Sequence, residues 1–183
     1  MSCAPLTAPD LDRWLPAPVV RIHHQRPAAA APDVLWAAAQ SVRLSDTRRL
    51  GRLVRLRIPG LPRGIAYHAL FRAPPFIVLD EDELSLLAGI VGRIWTLRRD
   101  YPVLAGAEEF RSWSGRGTVR VLFANWVAPA GDGGSVLVSE TRVATVDRIA
   151  RVGLAALQPL IAASQGLIAS DGIELAVQRA ERG

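Results

Sequence analysis

The 183-residue chain contains no lysine, so every basic side chain apart from three histidines is an arginine. It has one cysteine, Cys3, which excludes an intrachain disulfide framework and a zinc site built from cysteines. A reducing, cytoplasmic setting is therefore expected. No Gly-x-Ser-x-Gly elbow, no His-x-x-x-His pair and no Asp-x-Asp-x-Asp-Gly loop occurs, so a hydrolase nucleophile, a helical zinc pair and a calcium loop have no sequence basis. No metal and no other cofactor is expected. Met1 to Trp14 lack a basic stretch followed by an apolar one, and no secretory leader is expected.

Half of the residues are hydrophobic and the net charge is +5. A chain of this length buries roughly 70% of its unfolded surface, which suits one domain with one sizeable core. The longest uncharged run is Val152 to Ser170, long enough to cross a bilayer. Alanine dominates it and Gly153, Gln158, Pro159, Ser164, Gln165 and Gly166 interrupt it, so a buried helix is expected and no transmembrane segment. Arg43, Arg48, Arg49, Arg52, Arg55 and Arg57 form the densest basic cluster. Leu44, Leu50, Leu53 and Val54 give that cluster an apolar side and no aromatic residue is interleaved with it, so a solvated helix face is expected ahead of nucleic-acid binding. An Arg-rich module for an anionic surface or nucleic acid stands as a third function class.

Residues 1–17 hold three prolines and no period, which suits a flexible N-terminal arm, with the folded domain over 18–183. Val19 to Arg26 alternates like a strand and ends at Pro27. Ala31 to Gln40 reads as a short helix with Pro32 and Asp33 in its first turn, and Ser45 to about Val54 as a second. The period then becomes extended, with candidate strands over Ile65–Phe71, Phe76–Glu81, Glu83–Trp95, Phe110–Trp113, Thr118–Ala128 and Val136–Thr145. Pro129 to Gly134 is a Gly- and Asp-rich turn that closes the last two into an antiparallel hairpin. Val119, Val121, Phe123, Asn125 and Val127 share one strand face, read as the inward one, with Arg120 and Trp126 opposite. Asp147 caps a long final helix that extends to Arg182 and is kinked at Pro159. Gly89 and Gly92, inside a strand, mark a sharp bend or a close approach, and bending is the expectation in a curved sheet.

These landmarks resemble a known family. Phe71-Arg-Ala-Pro-Pro-Phe76, Gly89-Ile-Val-Gly-Arg-Ile-Trp95, Glu109-Phe110, Ser139-Glu-Thr-Arg-Val143 and Asp147-Arg-Ile-Ala-Arg151 are similar to segments of bacterial members of the START-like, or SRPBCC, superfamily. That superfamily includes the birch-pollen allergens, lipid-transfer domains and aromatic polyketide cyclases. The resemblance implies an α+β helix-grip fold, with a curved antiparallel sheet of about seven strands around a long C-terminal helix and two short helices after the first strand. It also implies a deep apolar cavity between sheet and final helix. Similar sequences usually carry Tyr-Trp after the Ala-Arg segment where this chain has Leu154-Ala155-Ala156-Leu157, which implies a different or roomier helix face.

In such a cavity the expected ligand is a small hydrophobic molecule, lipid or polyketide-like, and the protein a monomer or homodimer. Trp36, Phe76, Trp95, Phe110, Trp113, Val121 and Phe123 are candidates to line it, with Leu157 and Ile161 from the helix. Tyr67, Asn125 and Arg142 would set orientation, with Arg142 as an anchor for an anionic group, although an ion-pair ladder across the sheet that fixes strand register is the first expectation for Glu140 and Arg142. A cofactor-independent cyclase or dehydratase on the same scaffold would need an acid or base inside, with His68, Tyr67 and Glu140 as candidates. His23 and His24, adjacent on a strand, point to opposite faces and cannot share one metal. Asp80-Glu81-Asp82-Glu83 reads as a solvated turn.

Overall fold

A computed structural model describes residues 8–47, 64–96, 101–157 and 168–182. Along the chain run β1 (Val20–Ala28), α1 (Pro32–Ser41), α2 (Tyr67–Phe71), β2 (Ile77–Asp82), β3 (Ser85–Gly92), α3 (Ala107–Ser112), β4 (Val119–Pro129), β5 (Ser135–Thr145), α4 (Arg148–Ala155) and α5 (Ile168–Ala180). The described strands form one antiparallel sheet in the order β1-β5-β4-β3-β2. This is an α+β architecture with five strands and five helices among the described residues.

The β4–β5 hairpin is the longest ladder, running from the Val119–Thr145 pair to the Pro129–Ser135 pair. Its turn is the Gly-rich segment expected, where Gly133 takes a φ of 78° that a Cβ would oppose. Asp147 caps α4 as expected: its carboxylate accepts from the Ala150 N–H at 2.8 Å and from the Gly117 N–H at 2.8 Å.

Two candidate strands are helices instead. Ile65–Phe71 contains α2, which buries His68, Leu70 and Phe71 together. Phe110–Trp113 falls largely in α3, which opens with Glu108 and Glu109 and closes with Arg111, charges that complement its dipole. Among the described residues the sheet accordingly has five strands where about seven were expected. The long final helix resolves into α4 and α5, with the residues between them, Pro159 and Ile161 included, outside the described ones. The second expected helix lies almost wholly outside them too, and residues 44–46 at its start form a turn.

Both faces of the sheet are covered. On one face α1, α2, α4 and α5 pack over Leu86, Ala88, Ile90, Val119, Val121, Phe123, Val127, Leu137 and Val143. On the other, Leu11, Trp14 and Leu15 of the N-terminal segment, Leu104 and Phe110 cover Leu79, Leu87, Val91, Leu122, Ala124, Trp126 and Val138. The expectation of a flexible arm is thus corrected for residues 8–17. Leu11, Trp14 and Leu15 are buried there because an outward apolar stripe on the sheet needs a cover as much as the inward one does.

Candidate ligand-binding face

Strand alternation divides the candidate residues between the two faces. Val121, Phe123 and Asn125 of β4 point to the helix side, as expected. There Phe123 meets Phe71 and Phe76 with ring centroids 5.3 and 5.8 Å away, and Phe71 and Phe76 meet edge to face at 5.3 Å. These three rings join α2, the segment before β2 and the middle of the sheet into one apolar wall. Trp95 packs against the α4 cluster, where Gly153 leaves no room for a side chain beside its indole. Leu157 follows α4, and its N–H bonds the Leu154 carbonyl at 2.9 Å.

Trp36 and His68 form the second element of this face. The imidazole of His68, in α2, stands edge-on to the Trp36 indole of α1, with centroids 4.7 Å apart and planes at 73°. His68 is 4% exposed and its Nδ1 has no hydrogen-bond partner among the described residues. Burial, aided by the Arg72 charge and opposed by Glu81, lowers its pKa to about 4, so the ring is neutral at physiological pH. The Tyr67 side chain and Ile161 lie outside the described residues.

Across the same face runs a polar row that sequence reading left incomplete. His24 of β1 pairs with Ser139 of β5, and Ser139 pairs with Asn125 of β4. Buried His24 Nε2 has no partner among the described residues, and burial, with the nearby His23 and Arg26 charges, lowers its pKa. The alternation of Arg21-Ile22-His23-His24 held the signal: if Ile22 faces the helices, so does His24.

Four candidates lie on the opposite face. Phe110 and Trp113 belong to α3 and its C-terminal cap, and the Phe110 ring occupies the space a side chain at Gly89 would fill. Gly89 therefore permits a close approach rather than a bend. Trp113 donates from Nε1 to Thr118 Oγ1 at 2.9 Å. Glu140 and Arg142 sit beside Ala124 and Leu122 in the outer-face register, one residue out of phase with Thr141 and Val143. The expectation that they serve an interior cavity is corrected for that reason: period two sends them to the side the N-terminal segment covers.

Glu140, 2% exposed, is the centre of this outer cluster. Its carboxylate takes a paired contact from Arg21, with Nε and Nη2 each at 2.9 Å, bonds His23 Nδ1 at 3.0 Å, and accepts from Arg142 Nε at 2.6 Å. Burial raises its pKa, but the bonds from Arg21, Arg142 and His23 together outweigh this and hold it at about 2. Arg142 continues to Asp12 at 2.5 Å and to the Leu15 carbonyl at 3.2 Å. The cluster clamps the N-terminal segment, and both carboxylate oxygens of Glu140 are engaged in it. Among the described residues no group of three or more His, Cys, Asp or Glu is placed to hold a metal ion, and no helix is long and apolar enough to cross a membrane.

A strand, helices, an antiparallel meander and helices that return to one face of the sheet follow the element order of the helix-grip fold. No family model and no curated protein sequence matches the chain. Among solved structures it is similar to truncated norcoclaurine synthase from Thalictrum flavum, at 17% identity and TM-score 0.41 over 85% of this chain and 92% of that one. It is also similar to a Thermus thermophilus protein, at 10% identity and TM-score 0.35 over 88% and 97% of the two chains. A third is the di-domain ARO/CYC protein StfQ of steffimycin biosynthesis, at 13% identity and TM-score 0.41 over 89% of this chain and 51% of that one.

Proposed function

We propose that the protein binds a small, mainly apolar molecule on the helix-facing side of the sheet, between the Phe71–Phe76–Phe123 wall and the Trp36–His68 pair. The observation that carries this reading is the buried Nδ1 of His68, which has no partner among the described residues. A buried polar atom left unpaired costs about 1–3 kcal/mol, a cost that a ligand hydroxyl or amide removes on binding. Apolar surface around it supplies affinity, and the Asn125–Ser139–His24 row supplies direction. Intact mass spectrometry under native and denaturing conditions tests the reading: a small molecule released on unfolding supports it, and a protein that carries none and takes up no hydrophobic fluorescent probe overturns it.

His68 also favours a second reading, an enzyme of cyclase or dehydratase type. A neutral imidazole inside an apolar site accepts a proton from a carbon acid or hydroxyl of the substrate and returns it to a departing oxygen. Glu140, engaged on the far side of the sheet, takes no part in this. Turnover of an aromatic polyketide-like substrate that is lost in His68→Gln, while binding persists, distinguishes the enzyme from the carrier.

A further inference from the structure

We propose that the outward face of α4 is a docking surface for an anionic lipid bilayer. The helix is seated by Ala150 and Leu154, which are buried, and by Gly153 against Trp95. Its other face carries Arg148, Ile149, Arg151 and Val152, all exposed. Ile149 is 53% and Val152 74% exposed, so two β-branched aliphatic side chains stand in water one turn apart, each beside an arginine. The spacing places Arg148 and Arg151 in one row and Ile149 and Val152 in the next. Val103, 72% exposed, follows Tyr101, which packs against the cluster that seats α4.

Charge complementarity selects the occupant. The one carboxylate at this helix, Asp147, is bonded to the Ala150 and Gly117 N–H groups. Arg116 acts electrostatically on Asp147, and Arg93 lies with Ile149 around Gly117, so two more cations border the patch. Guanidinium groups pair with lipid phosphates while the aliphatic side chains between them enter the headgroup–acyl boundary. A duplex nucleic acid would engage the arginines and gain nothing from Ile149 and Val152. The proposal is independent of what occupies the helix-facing side of the sheet.

The test is sedimentation of the full chain with phosphatidylcholine vesicles, with and without about a third phosphatidylglycerol. The wild type is expected to sediment with the anionic vesicles only. Arg148→Gln and Arg151→Gln are each expected to weaken partitioning about fivefold, and Ile149→Ser with Val152→Ser at least about tenfold, whereas Ile149→Leu with Val152→Leu retains it. Three results overturn the proposal. One is a wild type that stays in the supernatant. The second is a serine pair that partitions like the wild type, above all if both bind a duplex oligonucleotide and the arginine variants do not. The third is a serine pair whose Tm falls by more than about 5 °C, since these side chains would then be packed within the protein.

Discussion

Asp12 and Arg142, 130 residues apart in the chain, meet at 2.5 Å, and the same guanidinium reaches Glu140 through its Nε. The first contact lies at the surface, where Asp12 is 70% exposed, and the second is buried on both sides. Their energetic weights differ accordingly. Asp12→Asn is expected to cost less than about 1 kcal/mol. Glu140→Gln leaves a buried guanidinium without its main counter-charge and is expected to cost about 3–5 kcal/mol. Urea unfolding of both variants checks the contrast; equal losses would show that the cluster works as a surface pair.

Two of the shifted groups, Glu140 and His68, give separate pH signatures. The Glu140 pKa is depressed in the folded protein, so its contribution is complete above the ordinary carboxylate pKa of about 4.5 and is lost as pH falls through about 2. His68 is also depressed, to about 4, but here the neutral form is the native one. Between its ordinary value of 6.5 and about 4 the unfolded chain takes up a proton that the folded one does not, so stability falls as pH drops through that window. His68→Phe is expected to flatten the stability profile between these values, and an NMR titration of His68 should show no protonation above about pH 5.

Gly89 and Phe110 test the close approach on the outer face. Gly89→Ala places a methyl group where the Phe110 ring lies and is expected to cost about 1–3 kcal/mol. Combining it with Phe110→Leu is expected to cost less than the sum of the single changes. Additive losses in thermal unfolding would mean that the glycine serves the backbone instead.

Leu15 is fully buried within the outer-face cluster, and Leu15→Ala is expected to cost about 2–4 kcal/mol. A loss below about 0.5 kcal/mol would mean that residues 8–17 are dispensable. The same measurement made on Leu35→Ala, fully buried in α1 within the inner-face cluster, gives the scale for that side of the sheet.

Much of the frame was legible because its signals were local. The Gly- and Asp-rich turn, the alternation of β4 and the cap at Asp147 each sit within a few residues of the structure they specify. The division of β5 between faces was half legible: alternation places Glu140 and Arg142 together, but not on which side, since both faces are apolar and both are covered. Short windows failed for a different reason. Tyr67-His-Ala-Leu-Phe71 is too brief for a two-residue period and a 3.6-residue period to be told apart, and packing of Phe71 on Phe76 and Phe123 decided it. The arm misled because its prolines speak of local backbone, whereas its burial is set by the distant strands it covers.

The pairing of β1 with β5, from Val20–Val143 to Ala28–Ser135, has a kinetic side. The first strand cannot complete its pairing until residues through Val143 have left the ribosome, and closing so long a loop carries an entropic penalty before any ladder bond repays it. The meander of β2 to β5 has no such handicap, so it can assemble first, exposing for a time the edge that β1 will occupy. That interval, rather than the finished molecule, is when this protein is most open to a chaperone or to aggregation.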